Sequence, residues 1–477
     1  MSTASVAESD FEIETYLSQY TGHTRIQRLE FISEASPSLA REALTLALAE
    51  VKATTLNTTK HNAIVLRLNA DLGASVKHDQ VWVEDTARLA RFRLDKLDAE
   101  LKNYKSNLIK ESIRMGHQDL GDHFYYCGDL ASALKCYSRT RDYCSTPKHI
   151  LDMCLNVIKV SIEQRNFSHV QSYVIKAEST PNPSTGSTSS SAMASAPTTS
   201  NAPSAAAADA ARLLLAAKLK ACMGLVHLDA GKYKSAARTF LGVGPEIIGK
   251  YTEVGSTRVL SGADIANYIS LLALATFDRA DIKSKLLDSS SFKQFLELAD
   301  PSLRENVLGG FYAAQYGVCL DALEKLKTNF LLDMYLNSHV PHLYNLIRRR
   351  AIVAYILPFE AVNMHKMSTQ FGGSVSQLET EIAQLIGEGV VKARIDSHNK
   401  LLRVNKSDDR ASLFDKTLQM GEEYAKQVQF VLLRTSLMRQ DLYVEPPSGG
   451  AQHDGPLERG ASGRERGEGR HMERVMG

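Results

Sequence analysis

Histidines, cysteines and carboxylates most often support catalysis or metal binding, and this sequence groups few of them closely. The nearest groupings are two: His339 and His342 in the segment HVPH, and the set His117, Asp119, Asp122 and His123. A zinc site needs three or four converging ligands. The pair in HVPH has no third ligand at a suitable spacing, so we interpret it as a chance surface pair. On a helix His117, Asp119 and Asp122 cannot all share a face, which favours turn and capping roles over a metal site.

Motifs of known catalytic centres are also missing from the sequence. It contains no HExxH, no HxH followed by a distant Asp, no GxSxG and no Walker loop. The six cysteines form no CxxC pair and lack a local His/Asn signature: Cys127, Cys136, Cys144, Cys154, Cys222 and Cys319. They are typical of small buried residues in a reducing compartment. We therefore predict that the chain is not an enzyme and holds no cofactor and no metal.

Composition predicts a protein of two or three domains with a large core and no general attraction for polyanions. The 477 residues are 44% hydrophobic, and 56 Lys and Arg nearly cancel 54 Asp and Glu, leaving a net charge of +2. That balance favours neither nucleic acid nor anionic membrane. The first residues, MSTASVAESD, lack a basic region and an apolar run, and no stretch of about 18 apolar residues follows. We predict no signal peptide, no membrane span, and a location in the cytoplasm, the nucleus or both.

Glycine, proline and serine cluster in two segments that separate long helical regions. Residues 181–208 form a Ser/Thr/Ala-rich insert, and residues 443–477 form a tail rich in Gly, Arg and Glu. Neither has enough apolar surface to offset the entropy of ordering, so both are predicted to be disordered. Elsewhere apolar spacing of three and four predicts helices over 11–32, 38–56 and 81–115, the last ending at Gly116, with no strand alternation competing.

Three similar turn regions predict a helical repeat. They are CGDLASALKCY (127–137), QRNFSHVQSYV (164–174) and DAGKYKSAARTF (229–240), with turn residues Gly128, Asn166 and Gly231. Once the insert is removed, their spacing is in the mid-thirties, which is typical of tetratricopeptide (TPR) helical hairpins. Such hairpins stack into a solenoid because one hairpin cannot bury its apolar face alone. Solenoids of this kind bind proteins far more often than they catalyse.

Residues 341–405 predict a winged helix. A helix from Pro341 to Pro358 is followed by a short helix over 359–371 and a third helix that starts at Ser374. Ser374 with Gln377, or Ser376 with Glu379, would form a capping box. The segments VVKARI and KLLRV, separated by DSHN, alternate as the strands of a β-hairpin.

The predicted third helix argues against DNA reading. It carries Glu379, Glu381 and Glu388 and no basic residue, whereas a reading helix needs Arg, Lys, Asn or Gln toward the bases. The hairpin does carry basic residues, which keeps a nucleic-acid role open as the weaker alternative: Lys392, Arg394, Lys400 and Arg403. The triplet 348–350 of three arginines would be a localisation signal or, as we favour, one solvated helix whose members point in different directions.

A terminal helix is predicted from Arg410 to Leu442. One seam of this helix is apolar: Phe414, Leu418, Ala425, Val428 and Leu432. A second set widens the apolar face: Leu413, Met420, Tyr424, Val431 and Leu437. Two interpretations stay open, namely that the helix folds back on its own domain or, as we favour, that it bundles with the tails of sister subunits.

Seven segments carry a resemblance to a known family. They are KESIRMGHQDLGDHFYYCGDLASALKCYSRTRDYC (110–144), MCLNVIKVSI (153–162), SYVIKAEST (172–180), LATFDR (274–279), SSSFKQFLEL (289–298), NFLLDMYLNSHVPHLYNLIRRRAIVAYILPF (329–359) and RIDSHNKLL (394–402). Over residues 16–442 the chain resembles the subunit-one family of the COP-nine signalosome, a group of PCI-domain proteins. It is similar, more distantly, to a paralogue in the proteasome lid. The insert and the tail depart from the family pattern.

The resemblance implies an all-α fold: a TPR-like solenoid arm, then a PCI domain made of a helical bundle plus a winged helix with a small β-hairpin, then a C-terminal helix. We expect an N-terminal helical region over 1–115, repeats over 116–250, the PCI domain over 251–405, a bundling helix over 406–442, and the tail.

The family also implies a role. It implies a non-catalytic scaffold subunit of the complex that removes a ubiquitin-like modifier from cullins and so regulates cullin–RING ubiquitin ligases. The implied partners are other PCI subunits, joined through the wing edge, and ligase components, met by the arm. We assign the wing edge to Val391, Ala393, Arg394, Ile395, Asp396 and His398. The alternatives are a winged-helix nucleic-acid-binding protein, a scaffold of another PCI complex (proteasome lid or translation initiation), and direct isopeptidase activity.

Overall fold

The computed structural model describes residues 11–71, 78–180, 205–248, 252–254, 257–405, 409–440 and 442. The predicted tail, and the predicted insert up to residue 204, lie outside the described residues. Within the described ones there are 20 α-helices and five short β-strands. The chain divides into two units, residues 1–405 and 406–477.

Five helices precede the repeats, and their boundaries correct two predictions. They are α1 (Ile13–Leu17), α2 (His23–Ala35), α3 (Ala40–Thr54), α4 (Thr58–Asp71) and α5 (Gln80–Ser106). The predicted helix 11–32 is two helices, because Gly22 takes a φ of 66° at the start of α2. The predicted helix 81–115 ends early, since Leu108 also has a positive φ of 55°. Gly116 ends nothing, because it lies inside the next helix.

Three helical hairpins follow, as the repeat pattern predicted. They pair α6 (Lys110–Cys127) with α7 (Leu130–Arg139), α8 (Pro147–Glu163) with α9 (Phe167–Ser179), and α10 (Ala205–Asp229) with α11 (Tyr233–Leu241). Gly128 and Gly231 turn their hairpins with φ values of 84° and 70°. In the middle hairpin the left-handed residue is Arg165, while Asn166 caps α9 by accepting a hydrogen bond from the His169 amide. The three predicted turns are therefore equivalent, but in the middle hairpin the residue that matches Gly128 and Gly231 is Arg165 and not Asn166.

A second repeated feature lies inside the hairpins. A Cβ atom added at Gly121 would meet the Tyr137 ring at 2.7 Å, and one added at Gly224 would meet the Phe240 ring at 2.5 Å. Both glycines stand seven residues before the turn glycine, and both aromatics stand nine after it. In the middle hairpin those positions hold two buried aliphatic residues, Ile158 and Val174. The first and third hairpins thus pack a glycine against an aromatic ring, whereas the second has two aliphatic side chains of intermediate size at the same positions.

The region between the repeats and the winged helix contains features that the sequence pattern did not predict. Helix α10 starts inside the predicted insert, at Ala205. Strands β1 (Thr252–Val254) and β2 (Thr257–Leu260) form an antiparallel pair where we expected no strand. Helices then follow: α12 (Gly262–Thr276), α13 (Arg279–Ile282), α14 (Ser290–Leu296), α15 (Gly310–Tyr312) and α16 (Tyr316–Leu331). Two π-helical segments interrupt them, Lys283–Leu287 and Leu303–Gly309.

A buried polar cluster ties α2 to this region. Arg28, only 1% exposed, donates to Asp264 at 3.0 Å and to Asp333 at 3.3 Å. Its guanidinium also lies 4.0 Å from the centre of the Tyr20 ring, and the Tyr20 hydroxyl donates to Asp264 at 2.6 Å. Burial raises the pKa of Asp264, and Arg28 opposes that rise. Because removing one partner of a buried ion pair leaves an uncompensated charge, this cluster fixes the N-terminal helices against residues far along the chain.

The last part of this unit has the element order of a winged helix. It comprises α17 (Val340–Ile356), β3 (Ala361–Asn363), α18 (Met364–Phe371), α19 (Val375–Gly387), β4 (Ala393–Asp396) and β5 (Leu401–Val404). Of the two capping boxes considered, the one at Ser374 and Gln377 is present. The predicted short helix 359–371 is wrong in its first part, because residues 361–363 form β3 and pair with β5. The sheet order is β3-β5-β4.

The second unit contains one described helix, α20 (Asp409–Arg439), of 31 residues. Its position agrees with the predicted terminal helix. No helix among the described residues has both the length and the apolar character needed to cross a bilayer.

Candidate protein-interaction site

Strand β4 is an edge of the three-stranded sheet, and its hydrogen-bonding pattern decides which groups face outward. The Asn405 amide donates to the Lys392 carbonyl at 2.8 Å. Backbone hydrogen-bonded and non-hydrogen-bonded pairs alternate along an antiparallel ladder. The backbone of Arg394 therefore bonds to that of Arg403, and the backbone of Asp396 to that of Leu401. The amide and carbonyl groups of Ala393 and Ile395 therefore point away from β5. They offer an unpaired strand edge to another chain.

The six predicted wing-edge residues divide by their side chains. Ala393 is buried and Ile395 half-buried, opposite Val404 and Leu402 respectively. Their side chains pack on the core while their backbone groups face outward. Only the backbone of these two residues can therefore meet a partner strand.

The remaining predicted wing-edge residues have other places. Val391 is buried and lies before β4, with its amide 3.4 Å from the Leu385 carbonyl, so it belongs to the core. Asp396 holds the turn by accepting from the amides of His398 and Asn399, both at 3.2 Å. A hydrogen bond from the Asn399 side-chain amide at 2.9 Å, together with these two backbone bonds, lowers the pKa of Asp396. Arg394 and His398 are exposed.

The outer face of the sheet is basic. Arg394 and Arg403 stand directly opposite each other, and both are exposed. Like charges at such cross-strand positions repel. Neither arginine, nor Lys392 beside them, forms an ion pair within the described part of the chain. Lys400 differs, because it pairs with Glu379 at 2.9 Å.

The carboxylates of the third helix are all bound by cations of their own unit. Glu379 pairs with Lys400 and accepts from Ser397, and these hydrogen bonds lower its pKa. Glu381 pairs with Arg348 at 3.0 Å, and Glu388 pairs with Arg349. Helix α19 thus presents acids engaged in holding the wing and α17 in place. That arrangement is unsuited to a DNA major groove.

The arginine triplet is structural. Arg348 also donates to the Phe371 carbonyl at 3.1 Å, and Arg350 donates to Asp278 at 3.0 Å and to the Phe277 carbonyl at 2.7 Å. Arg348 thus reaches α18 and the middle of α19, Arg349 reaches the end of α19, and Arg350 reaches the segment between α12 and α13. The expectation that they point in different directions is confirmed, but they are ion-paired rather than merely solvated.

The histidine and aspartate grouping on α6 also has a structural explanation, and it differs from the predicted one. All four residues lie inside the helix, so the expected turn and capping roles are wrong. His117 and His123 are buried, and Asp122 accepts from the Tyr137 hydroxyl at 2.5 Å. Burial raises the pKa of Asp122 and lowers that of both histidines. No set of three or more His, Cys, Asp or Glu in the described ranges is arranged to hold a metal ion.

The HVPH pair is not a simple surface pair either. The Tyr233 hydroxyl lies 3.2 Å from Nδ1 of His339, and its ring lies against His342 with centroids 5.6 Å apart. The two histidines hold Tyr233, at the start of α11, against α17. All six cysteines are free thiols, and four of them are buried.

Helix α20 carries its apolar seam exposed. The exposed fraction is 63% for Phe414, 53% for Leu418 and 64% for Leu432, and Ala425 and Val428 are exposed too. Other large apolar residues, Phe430 among them, are exposed outside the seam. Large apolar side chains exposed together are a feature of surfaces that bind protein, membrane or other ligands.

Comparison with known proteins identifies the family. Residues 79–285 match the family model described as 26S proteasome subunit RPN7, and residues 323–406 match that of the PCI domain. The chain is 41% identical to COP9 signalosome complex subunit 1 of Arabidopsis thaliana, over 92% of each chain. It is 37% identical to subunit 1b of Drosophila melanogaster, over 95% of this chain and 90% of that relative. The chain belongs to the COP9 signalosome subunit 1 family.

Similarity to the proteasome is weaker. The chain is 21% identical to 26S proteasome non-ATPase regulatory subunit 6 of Dictyostelium discoideum, over 73% of this chain and 84% of that one. The resemblance inferred from the seven segments is thus confirmed, and so is the PCI domain. The start of that domain at residue 251 stays a prediction.

One functional element was missed by sequence reasoning. Strand β3 covers the second edge of β5, so β4 is the one edge of the predicted hairpin left open in the described sheet. The signal for it was faint: three residues, Ala361 to Asn363, ahead of a helix that Asn363 caps by accepting from the His365 amide. An Asn that caps a helix start is itself extended, as Asn363 is with a φ of −82° and a ψ of 119°.

Proposed function

We propose that this chain is a non-catalytic scaffold subunit of a COP9 signalosome, and that it joins neighbouring PCI subunits through the open edge of β4. The outward amides of Ala393 and Ile395 carry the proposal. An extended segment of another chain that adds to this edge gains main-chain hydrogen bonds without any rearrangement of the sheet. The family relationship over more than nine-tenths of the chain supports it.

The proposal includes two further contacts. Helix α20 packs with helices of sister subunits through Phe414, Leu418, Ala425, Val428 and Leu432. The helical repeats of the arm meet components of cullin–RING ligases, so that the chain helps the complex to remove a ubiquitin-like modifier from cullins. We propose that it does so in both nucleus and cytoplasm.

The arrangement of reactive groups supports a role without catalysis. In the described residues the buried acids accept hydrogen bonds from tyrosine or arginine side chains of the same unit. The buried histidines lie against aromatic rings, and the cysteines are mostly buried. Burial raises the pKa of Cys319 and of Cys222 to about 12, which leaves both thiols protonated and unreactive. The acids of α19 likewise disfavour the alternative of duplex binding.

The test replaces Ile395 by proline. Because the Ile395 amide points outward, Ile395→Pro deletes one edge donor and spares the ladder with β5. We expect at least a tenfold loss of affinity for the neighbouring PCI subunit, measured by co-purification and by titration with the purified partner. Ile395→Ala is the matched control: it shortens the same side chain, keeps the amide, and is expected to bind.

Helical circular dichroism and unfolding temperature establish that both variants are folded. Unchanged assembly of a folded Ile395→Pro chain would contradict the proposed use of the edge.

A further inference from the structure

An apolar groove of about 710 Å³ lies in the first unit where the end of α12 meets α17 and α19. Its lining comes from the region between the repeats and the winged helix, and from the winged helix itself. Phe277, Phe311 and Tyr316 supply the aromatic part, and Val353 and Leu385 the aliphatic part. The volume is in the range of sites that hold several apolar side chains of a ligand.

The apolar surface continues from the groove onto its rim. Leu357 is 74% exposed and Val390 is 54% exposed, and both line the groove. The neighbouring Phe359 is also exposed. Large apolar side chains exposed together on the rim of a cleft indicate that something longer than a small molecule covers them.

Arg279 supplies to the lining of the groove a positive charge that has no carboxylate partner among the described residues, and Lys283 lies near it but outside the lining. Arg279, which lines the groove, donates to the Tyr312 carbonyl at 2.7 Å and lies 5.2 Å from the centre of the Tyr312 ring. Lys283 lies 5.9 Å from the centre of the same ring. Neither cation pairs with a carboxylate anywhere in the described ranges. The two other arginines of the lining, Arg349 and Arg350, already have carboxylate partners.

We propose that this groove binds an amphipathic helix of a neighbouring subunit, with large apolar side chains on the floor and a carboxylate at Arg279 and Lys283. The inference rests on the proposed scaffold function and adds a second contact to it, separate from the β4 edge. Charge complementarity selects an acidic helix over a basic one.

A helix is favoured over the other possible occupants by the walls of the groove. They are formed by helices α17 and α19 and the end of α12, and a helix lays its apolar face into such a cleft with anchors at three- and four-residue spacing. A strand would need open backbone edges, which this groove does not offer in its described lining. A small amphiphile would leave Leu357 exposed.

The experiment places the photo-crosslinking residue benzoylphenylalanine at position 357, in the full chain assembled with its sister subunits. The crosslinked segment is identified by mass spectrometry. We expect it to be a helix of another subunit that carries Asp or Glu one turn from its large apolar residues.

Substitutions then test the chemistry. Leu357→Asp, and Arg279→Glu combined with Lys283→Glu, are each expected to weaken binding of the crosslinked subunit by tenfold or more. Matched controls are Ile175→Asp, at an apolar residue of α9 that is 52% exposed, and Lys325→Glu on the exposed face of α16. Changing the carboxylate of the crosslinked helix to Lys should restore binding to the Arg279→Glu, Lys283→Glu chain.

Several results would overturn the inference: no crosslink in the assembled complex, a crosslink to a second copy of this chain, or one to a strand or a basic segment. The Ile395→Pro test separates this failure from failure of the scaffold function. If Ile395→Pro abolishes assembly and the groove variants do not, the groove inference alone fails. If all of them assemble normally, the proposed function fails as well.

Discussion

At the scale of single residues, a buried acid and a buried base lie in one cluster between α2, α6 and α8. His23 packs edge-on against Tyr125 with ring centroids 4.5 Å apart, and the Tyr125 hydroxyl donates to Glu163. Lys159 lies 3.5 Å from the centre of the Tyr125 ring. Burial, with Lys60 and Lys159 adding to it, lowers the pKa of His23 to about 4. Burial also raises the pKa of Glu163 to about 7, against the effect of Tyr125 and Lys159.

These two shifts predict opposite pH dependences. His23 has a pKa of 6.5 when unfolded, so from pH 4 to 6.5 the unfolded chain binds more protons there and stability rises with pH. Glu163 has a pKa of 4.5 when unfolded, so from pH 4.5 to 7 the folded chain binds more protons and stability falls with pH. The two contributions nearly cancel in the intact protein.

A substitution at either residue should remove its contribution to the pH dependence of stability and leave the other contribution visible. Relative to the unsubstituted chain, His23→Gln is expected to be more stable near pH 4.5 than near pH 7, and Glu163→Gln the reverse. Urea unfolding followed by circular dichroism across that range measures the difference. A His23→Gln, Glu163→Gln chain should return to the flat profile. Parallel profiles for the two single variants would contradict the assignment.

At the scale of elements, the close approach of α6 to α7 and of α10 to α11 depends on absent side chains. Gly121→Ala and Gly224→Ala place a methyl group less than 3 Å from an aromatic ring. We expect each to lower the free energy of unfolding by about 1–3 kcal/mol, although alanine is the better helix former. Thermal unfolding measures the change.

A control for overpacking is available on another helix. Gly387 of α19 has open space where a Cβ would lie, so Gly387→Ala should be neutral or stabilising. Combining Gly224→Ala with Phe240→Leu should recover part of the loss. Equal effects of alanine at positions 224 and 387 would show that packing against Phe240 does not limit the hairpin.

Helix α20 exposes more large apolar side chains than any other described helix. We expect Leu418→Asp with Leu432→Asp to weaken association with helices of sister subunits by tenfold or more, measured by sedimentation of the reconstituted complex. Gln419→Asp, whose neighbours one turn away include Asp415, Glu422 and Glu423, is the control. Unchanged association together with a lower unfolding temperature would show instead that the helix stabilises its own chain.

Sequence periodicity predicted the long amphipathic helices and the repeat turns, because apolar spacing and turn glycines are local signals. It missed β1, β2 and β3, because strands of three or four residues form only when a distant or neighbouring partner supplies the hydrogen bonds. It also joined α5 to α6, because the break at Leu108 uses a left-handed leucine that no local preference marks.

The sequence predicted the part of the candidate site that local pattern determines, and it missed the part that depends on tertiary pairing. The alternation of Val391, Ala393 and Ile395 identified which side chains face one way, which local pattern determines. The hairpin edge that stays open is determined by the pairing of β3 with β5. That pairing is a tertiary contact, which local pattern does not show. Val391 was therefore misplaced at the edge, since its amide bonds to the end of α19.

At the scale of the whole molecule, the prediction is that the isolated chain has no catalytic activity. Purified alone, it is expected to leave a cullin carrying its ubiquitin-like modifier intact, as followed by gel mobility, with or without added zinc. The complete complex serves as the positive control. Cleavage by this chain alone that a chelator abolishes would contradict the scaffold role.

The Arg28 cluster also affects the order in which the chain completes its fold. Arg28 and Asp333 are 305 positions apart. At about 5–20 residues per second, a ribosome needs roughly 15–60 s to travel that distance. During this interval the N-terminal helices are outside the ribosome, but the Arg28 guanidinium and the apolar face of α2 lack the later residues that they contact in the folded chain. A newly made chain is therefore most open to chaperones, and to premature association, until Asp333 emerges.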